Sequence, residues 1–318
     1  MLTIFTTAKA FRGHINVIQR NALESWKRLQ AGGAVPTAPV EVILFGDDEG
    51  AAEAARELGV RHVPQVERNE HSTKYLRSLF GQAQEIARHA IVAYVNCDIV
   101  LTGDFLRAVE TVSGHFGAQG KFLMVGRRWD TDITAPLDFA AKDWAQRVRS
   151  LAFERNRQQS QDWIDYFVFP RGLYSEIPEL VVGRIGWDNW LVWKARAEGA
   201  AVVDTSACVL AVHQNHDYAY HPQGKEGVWH GAEAARNCSL AGGYAHLYTI
   251  EDATHRLTAK GIEANRGYRL APARRVLRRG RAAVWHALLG ATRPVRHALG
   301  MRQSNVSSFF IRMRGKDL

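Results

Sequence analysis

Residues 90–95 (AIVAYV) form an unbroken apolar run, as a strand buried on both faces requires. LTIFTT at 2–7 and VEVILF at 40–45 are similar runs, and Val60–Val63 is a shorter one. The segments between them have helical spacing. Ile15, Ile18, Ala22 and Trp26 mark a helix over about 15–29, residues 50–58 a second with Gly59 as its stop, and residues 74–89 a third. Gly32, Gly33 and Pro36 punctuate the first connection. Such alternation predicts an α/β fold with a mostly parallel sheet flanked by helices on both sides. Ligands of such sheets bind beyond the carboxyl ends of the strands. Thr6 and Thr7, Asp47 and Asp48, and Asn96 and Asp98 stand at those ends.

The second half is less regular. Phe122–Gly126, Tyr166–Phe169, Ala201–Asp204 and Cys208–Val212 read as strands, and Trp187–Gly199 as a helix. Residues 143–161, rich in Arg and Gln, read as a surface helix with a mobile loop. The 318 residues are 46% hydrophobic, enough for a sizeable core. No stretch approaches the roughly 18–20 apolar residues of a membrane span. The opening MLTIFTTAK is cut by Lys9 before it reaches leader length and reads as a first strand. Cys97, Cys208 and Cys238 are odd in number and form no CxxC pair, which argues against a disulfide framework and suits a reducing compartment.

Tyr94-Val95-Asn96-Cys97-Asp98-Ile99 places a polar-x-acid triplet where an apolar strand ends. Residues two apart on an extended chain point the same way, so Asn96 and Asp98 would present oxygens side by side. Oxygen ligands suit Mg²⁺ or Mn²⁺, which also bind diphosphates. The plain alternative is that Asp98 caps the next turn.

The segment AYVNCDIVLTGDF resembles the DxD region of GT-A glycosyltransferases, and FTTAK and ILFGDDEG resemble their first two nucleotide-binding strands. The resemblance runs from Met1 to about Leu257 and is to bacterial nucleotide-diphospho-sugar transferases. It implies a GT-A (Rossmann-like) fold over residues 1–265 and a nucleotide-sugar donor, UDP-linked. It implies that Thr6, Thr7 and Asp47 contact base and ribose, with Arg20 and Lys74 as further base or diphosphate contacts. Asp47 and Asp48 read equally as a solvated turn. The triplet departs from the family pattern at Asn96, which offers a carbonyl oxygen but no charge. Asp98 is therefore the expected ligand of Mn²⁺ or Mg²⁺.

In Gly183-Arg-Ile-Gly-Trp-Asp-Asn-Trp190, Asp188 resembles the acid of the family's xED motif, the general base of inverting members. An acid at a helix start is also a common N-cap. His213 follows an apolar run and resembles the late histidine that completes metal coordination; it fits better than His216. A zinc site of His213, His216 and His221 is the alternative, on weak HxxH spacing. Trp129, Asp130, Asp165 and Trp187 are acceptor-side candidates. Lys225 lies in a loop, His221–Lys225, placed to close over the diphosphate.

Residues 266–318 hold thirteen Lys and Arg against Asp317 alone, so the first 265 carry a net −3 of the chain's +9. Arg274, Arg275, Arg278, Arg279 and Arg281 beside Val276, Leu277, Val284 and Trp285 suit helices on an anionic membrane surface. Packing of this tail on the acidic body, or disorder, would also fit. No nucleic-acid reading motif is present. The expectation is a cytoplasmic enzyme, peripheral on the inner face of the membrane, acting on a cell-surface or lipid-linked glycan. Two rivals remain: a nucleotidyltransferase, for which TTAKAFRGH is a poor phosphate loop, and a non-catalytic membrane or polyanion binder.

Overall fold

Alternation of side chains along the apolar runs divides them between two helical layers. The computed structural model describes residues 2–31, 40–117, 120–155, 157–219 and 221–277. In chain order the strands and helices are β1 (Leu2–Thr7), α1 (Gly13–Lys27), β2 (Glu41–Phe45), α2 (Ala51–Leu58), β3 (Arg61–Val63), α3 (Leu76–Ile86), β4 (Ile91–Val95), β5 (Ile99–Val100), α4 (Gly103–Phe116), β6 (Phe122–Val125), β7 (Arg128–Thr131), α5 (Trp144–Arg155), β8 (Tyr166–Pro170), α6 (Trp187–Ala197), β9 (Ala201–Asp204), β10 (Ala211–Gln214), α7 (Gly224–His230), α8 (Ala232–Leu240), β11 (His255–Thr258) and β12 (Gly261–Ala264). The chain divides into two compact units, Met1–Tyr268 and Arg269–Leu318. In the second, residues 271–277 are helical. The arginine-rich helices expected beyond residue 277 lie outside the described residues, as does the Gly32–Pro36 punctuation. Among the described residues no helix is long and apolar enough to cross a membrane.

Nine strands form one sheet in the order β12-β11-β9-β6-β8-β4-β1-β2-β3. The pairs β1–β2, β1–β4, β2–β3, β6–β9 and β9–β11 are parallel; β8 runs against both β4 and β6. Leu2, Ile4, Leu44, Ala93 and Val95 pack on one face with Trp26 of α1, Ala55 of α2 and Phe105 of α4. Phe5, Ile43, Phe45, Val92 and Tyr94 pack on the other with Phe80 of α3 and Leu191 of α6. Period-two burial on each strand explains why the runs read as continuously apolar.

A second sheet, β5-β10-β7, is small and decisive for the site. β10 pairs antiparallel with β5, setting His213 opposite Ile99, and parallel with β7, setting His213 opposite Asp130. The strand expected at Cys208–Val212 is thus displaced toward the carboxyl end, and His213 lies inside it. Cross-strand pairing, absent from local composition, sets this boundary.

Candidate functional site

The large sheet's order lines up its carboxyl-end residues. Passing from β8 to β2, the chain presents Asp165 before β8, Asn96 and Asp98 after β4, Thr7 at the end of β1 with Lys9 beyond it, and Asp48 after β2. Neighbouring strands lie roughly 4.8 Å apart, so the row spans several strand widths. A cavity of about 740 Å³ opens over it, lined by all of these and by Lys74, Arg128, Trp163, Asp188, His213, His216 and Trp229 among others.

The side-by-side arrangement expected of Asn96 and Asp98 is not formed. Ile99 N–H donates to the Asn96 carbonyl at 3.1 Å, closing a turn that sends the two side chains to different partners. Asn96 Nδ2 donates to Asp165 Oδ1 at 2.6 Å. Asp165 is buried and also receives Arg128 Nη1 at 3.1 and 3.3 Å. Asp98 turns instead to two imidazoles: its Oδ2 lies 3.9 Å from His213 Nε2 and 3.2 Å from His216 Nε2. Ligand atoms of Asp98, His213 and His216 all fall within 4.8 Å of one another. His216, ranked behind His213 on sequence, is the nearer of the two, and His221 is not in the cluster. Burial opposes ionisation of Asp98, but His213, His216 and Lys9 together hold its carboxyl well below the usual range. Its Oδ1 is buried and has no hydrogen-bond partner.

Both histidines are oriented from behind. His216 Nδ1 sits 2.6 Å from the Asp217 carbonyl. His213 Nδ1 faces Asp130 Oδ1 at 3.3 Å, an ion-pair contact that falls short of hydrogen-bond geometry. Asp130, expected on the acceptor side, lies behind His213 and does not line the cavity. Lys9, which sequence reasoning did not single out, brings Nζ to 3.3 Å from His216 Nε2, and burial lowers its pKa. Its cue was the single basic residue two positions after the first strand.

On the β2 side, Asp48 rather than Asp47 faces the cavity. Asp48 pairs with Lys74, whose Nζ also donates to the Ala8 carbonyl at 2.7 Å. Burial pulls the Lys74 pKa down despite Asp48. Asp47 is exposed and pairs with Arg68 at 2.5 Å. Thr6 is buried away from the cavity, while Thr7 lines it. Arg20 pairs with Glu57 at 2.8 Å and lies outside it.

At the other end, α6 begins with Gly186 as N-cap at φ +97°, a left-handed conformation that favours glycine. Asp188 therefore does not cap the helix. It sits in the first turn, half-buried on the cavity wall, with Oδ1 accepting from Asn189 N–H at 2.9 Å. Burial, seconded by the charge of Asp165, pushes its pKa up to about 7. Trp187 is a core residue edge-on to Tyr94 that also reaches the cavity. Trp129 packs on Phe153 outside it. The aromatic wall comes from two residues not anticipated: Trp163 and Trp229 meet at 5.0 Å, and Arg128 lies 4.5 Å from the Trp163 ring centre. Trp229 Nε1 is buried without a partner. Residues 221–225 lead into α7 rather than forming a loop over the cavity; Lys225 is exposed in α7, 5.4 Å above the Trp229 ring.

Charge in the cavity is already largely committed. Lys74 is paired with Asp48, Arg128 with Asp130 and Asp165, Arg68 with Asp47 and Asp48, and Arg184 with Glu233 at 2.6 Å. An entering polyanion gains little from cations so engaged, whereas Asp98 and its imidazoles form a ready cation site.

No protein-family model matches the chain, and no curated protein matches it. Among solved structures it is similar to glucosyl-3-phosphoglycerate synthase from Mycobacterium tuberculosis in complex with Mn²⁺, UDP and glucosyl-3-phosphoglycerate, at 14% identity and TM-score 0.43, covering 76% of this chain and 80% of that one. It is similar to the same synthase with phosphoglyceric acid at 13% identity and TM-score 0.44, covering 78% and 80%. A structure described as a mycobacterial protein gives 14% identity and TM-score 0.44, covering 76% and 75%. A likeness of this degree assigns no activity.

Proposed function

We propose that the chain is a glycosyltransferase that moves a sugar from a nucleoside-diphosphate sugar, UDP-linked, to a hydroxyl acceptor, with Mn²⁺ or Mg²⁺ as cofactor and inversion at the anomeric carbon. The observation that carries this reading is the convergence of Asp98, His213 and His216 at the strand ends, on the floor of the cavity. These residues fit a divalent cation. The buried Asp98 Oδ1 has no hydrogen-bond partner, the His216 ring is held at Nδ1 by the Asp217 carbonyl, and His213 Nδ1 faces Asp130 at 3.3 Å, so that Nε2 of each ring turns toward Asp98. When bound, the cation would offset the charge developing on the departing diphosphate.

The chain's own residues divide the rest of the work. Thr7, Asp48 and Lys74 form the nucleoside end of the cavity, and Lys9 lies between it and Asp98. Trp163, Trp187 and Trp229 offer apolar ring faces of the kind sugars stack on. Asp165, fixed by Arg128 and Asn96, holds the wall between the triplet and Asp188. Asp188 takes the proton of the acceptor hydroxyl as that oxygen bonds to the anomeric carbon. The bond from that carbon to the phosphate oxygen breaks, and the nucleoside diphosphate leaves. A pKa near 7 suits a base working at neutral pH. We read the acceptor as a cell-surface or lipid-linked glycan, with the basic segment 266–318 resting on an anionic membrane. The deciding experiment is donor hydrolysis: UDP-sugars with Mn²⁺ release UDP slowly under this reading, and release of pyrophosphate or of nothing rejects it.

A further inference from the structure

We infer that the acceptor end of the cavity is built to refuse anions, that the acceptor unit bearing the reacting hydroxyl is uncharged, and that Glu233 of α8 sets this rule. This rests on the transferase reading for the word acceptor; the charge rule belongs to the cavity whatever the reaction. The end in question surrounds Asp188 and is lined by residues 162–165, 182–185, 187–189 and 228–229, with Arg128 beside them. Among the described residues its cations are Arg128 and Arg184, whose side chains are 9% and 10% exposed. Arg128 gives Nε to Asp130 at 2.9 Å and Nη1 to Asp165 at 3.1 Å, and its guanidinium lies 4.5 Å from the Trp163 ring centre. Arg184 gives Nε and Nη2 to Glu233 Oε2 at 3.0 and 2.6 Å, and Nη1 to the Gly183 carbonyl at 2.9 Å. Glu233 does not line the cavity, and its other oxygen receives Asn69 Nδ2 at 2.7 Å. Burial opposes ionisation of Glu233, but Asn69, Thr73 and Arg184 hold its carboxyl below the usual range. Lys225, over the Trp229 ring, does not line the cavity.

A phosphate or carboxylate entering here meets two guanidinium forks already filled. To gain Arg184 it must displace Glu233 and leave a mostly buried carboxylate without its cation, which cancels most of what it wins. It also approaches Asp162 and Asp188, two further carboxylates of the same end. An uncharged sugar meets neither obstacle. Its hydroxyls donate to those carboxylates, and its C–H faces rest on Trp163, Trp187 and Trp229. Glu233 differs from the acids behind Arg128 in what its removal frees. Asp130 and Asp165 share Arg128, so loss of either leaves the other, whereas the one acid paired with Arg184 among the described residues is Glu233.

The test uses the full chain with inorganic phosphate as the probe, titrated by calorimetry, and circular dichroism to check the fold of each variant. Glu233→Gln keeps the shape of the side chain and frees Arg184; it is expected to bind phosphate at least about tenfold more tightly than the unaltered chain. Adding Arg184→Gln to that variant removes the gain. Arg184→Gln alone changes the phosphate affinity of the unaltered chain by less than about twofold, because that arginine is already engaged. Loss of a merely structural contact would weaken binding or unfold the chain, and cannot create a phosphate affinity that depends on Arg184. A folded Glu233→Gln chain with no gain overturns the inference, as does a gain that the double variant keeps. So does an unaltered chain whose phosphate affinity falls by about tenfold on Arg184→Gln. That comparison stands even where Glu233→Gln fails to fold. If the gain appears as expected but no UDP-sugar is hydrolysed, the transferase reading fails and the charge rule survives.

Discussion

In the proposed reading, Asp188 couples the stability of the chain to its chemistry. Its carboxyl, ordinarily near 3.8, is pushed up to about 7, so the folded chain prefers it protonated. The stability tied to that preference is fully present below the ordinary value and is lost as pH rises through about 7. Turnover runs the other way, since the base must be ionised: kcat is expected to climb through pH 7 and level off above it. Asp188→Asn should abolish turnover, leave donor affinity nearly unchanged and flatten the fall in stability as pH rises from the ordinary 3.8 through about 7. Denaturant midpoints across pH for both chains check this, and a variant that tracks the parent removes Asp188 from the base role. Asp98→Ala should abolish metal-dependent donor binding in a thermal-shift assay; an undiminished shift removes the metal site. Asp98 and Asp188 were legible as candidates because each stands where a strand or helix begins or ends, and His213 because it closes an apolar run, although it lies inside β10. Asp48 and Lys9 were not distinguished, because which of two adjacent carboxylates faces inward, and how far a lysine reaches, depend on neighbouring strands. His216 was ranked behind His213 because the path of the chain after β10 that brings it to Asp98 has no signature in HxxH spacing.

At the scale of elements, the long apolar strands and amphipathic helices were legible because their periodicity follows directly from burial. β5 and β7 were not, since two to four residues carry too little pattern and exist as strands only through pairing with β10. Reading Asn96 and Asp98 as extended failed for the same reason: the chain turns there to pass from the large sheet to the small one. Strand β8 shows how closely the elements fit. A Cβ on Gly126 would lie 1.9 Å from Tyr166 Oη, which is buried against Thr205 Oγ1 at 2.7 Å. Gly126→Ala is therefore expected to cost about 1–3 kcal/mol by overpacking, seen as a lowered denaturant midpoint. Because Tyr166 follows Asp165, the shift should also lower kcat/KM more than donor affinity.

For the molecule as a whole, charge is the most uneven property: a mildly acidic body and a strongly basic end. If residues 266–318 hold the chain to a membrane, it should sediment with vesicles containing phosphatidylserine at low salt, release at high salt and ignore phosphatidylcholine vesicles. Sedimentation with neither lipid at low salt rejects that role. Contacts at and beside the cavity join distant parts of the chain. Lys9 meets His216 across 207 residues, and His14 Nε2 meets the Asn215 carbonyl at 2.9 Å across 201. Synthesis runs from the amino end, so the first four parallel-sheet strands emerge well before the histidines do. Under the proposed reading, a nascent chain halted before β10 has its nucleoside-facing wall but lacks both imidazoles of the cation site. If the proposed cation site is right, acquisition of metal is a late event in biogenesis and reports that the protein has been translated well past its midpoint.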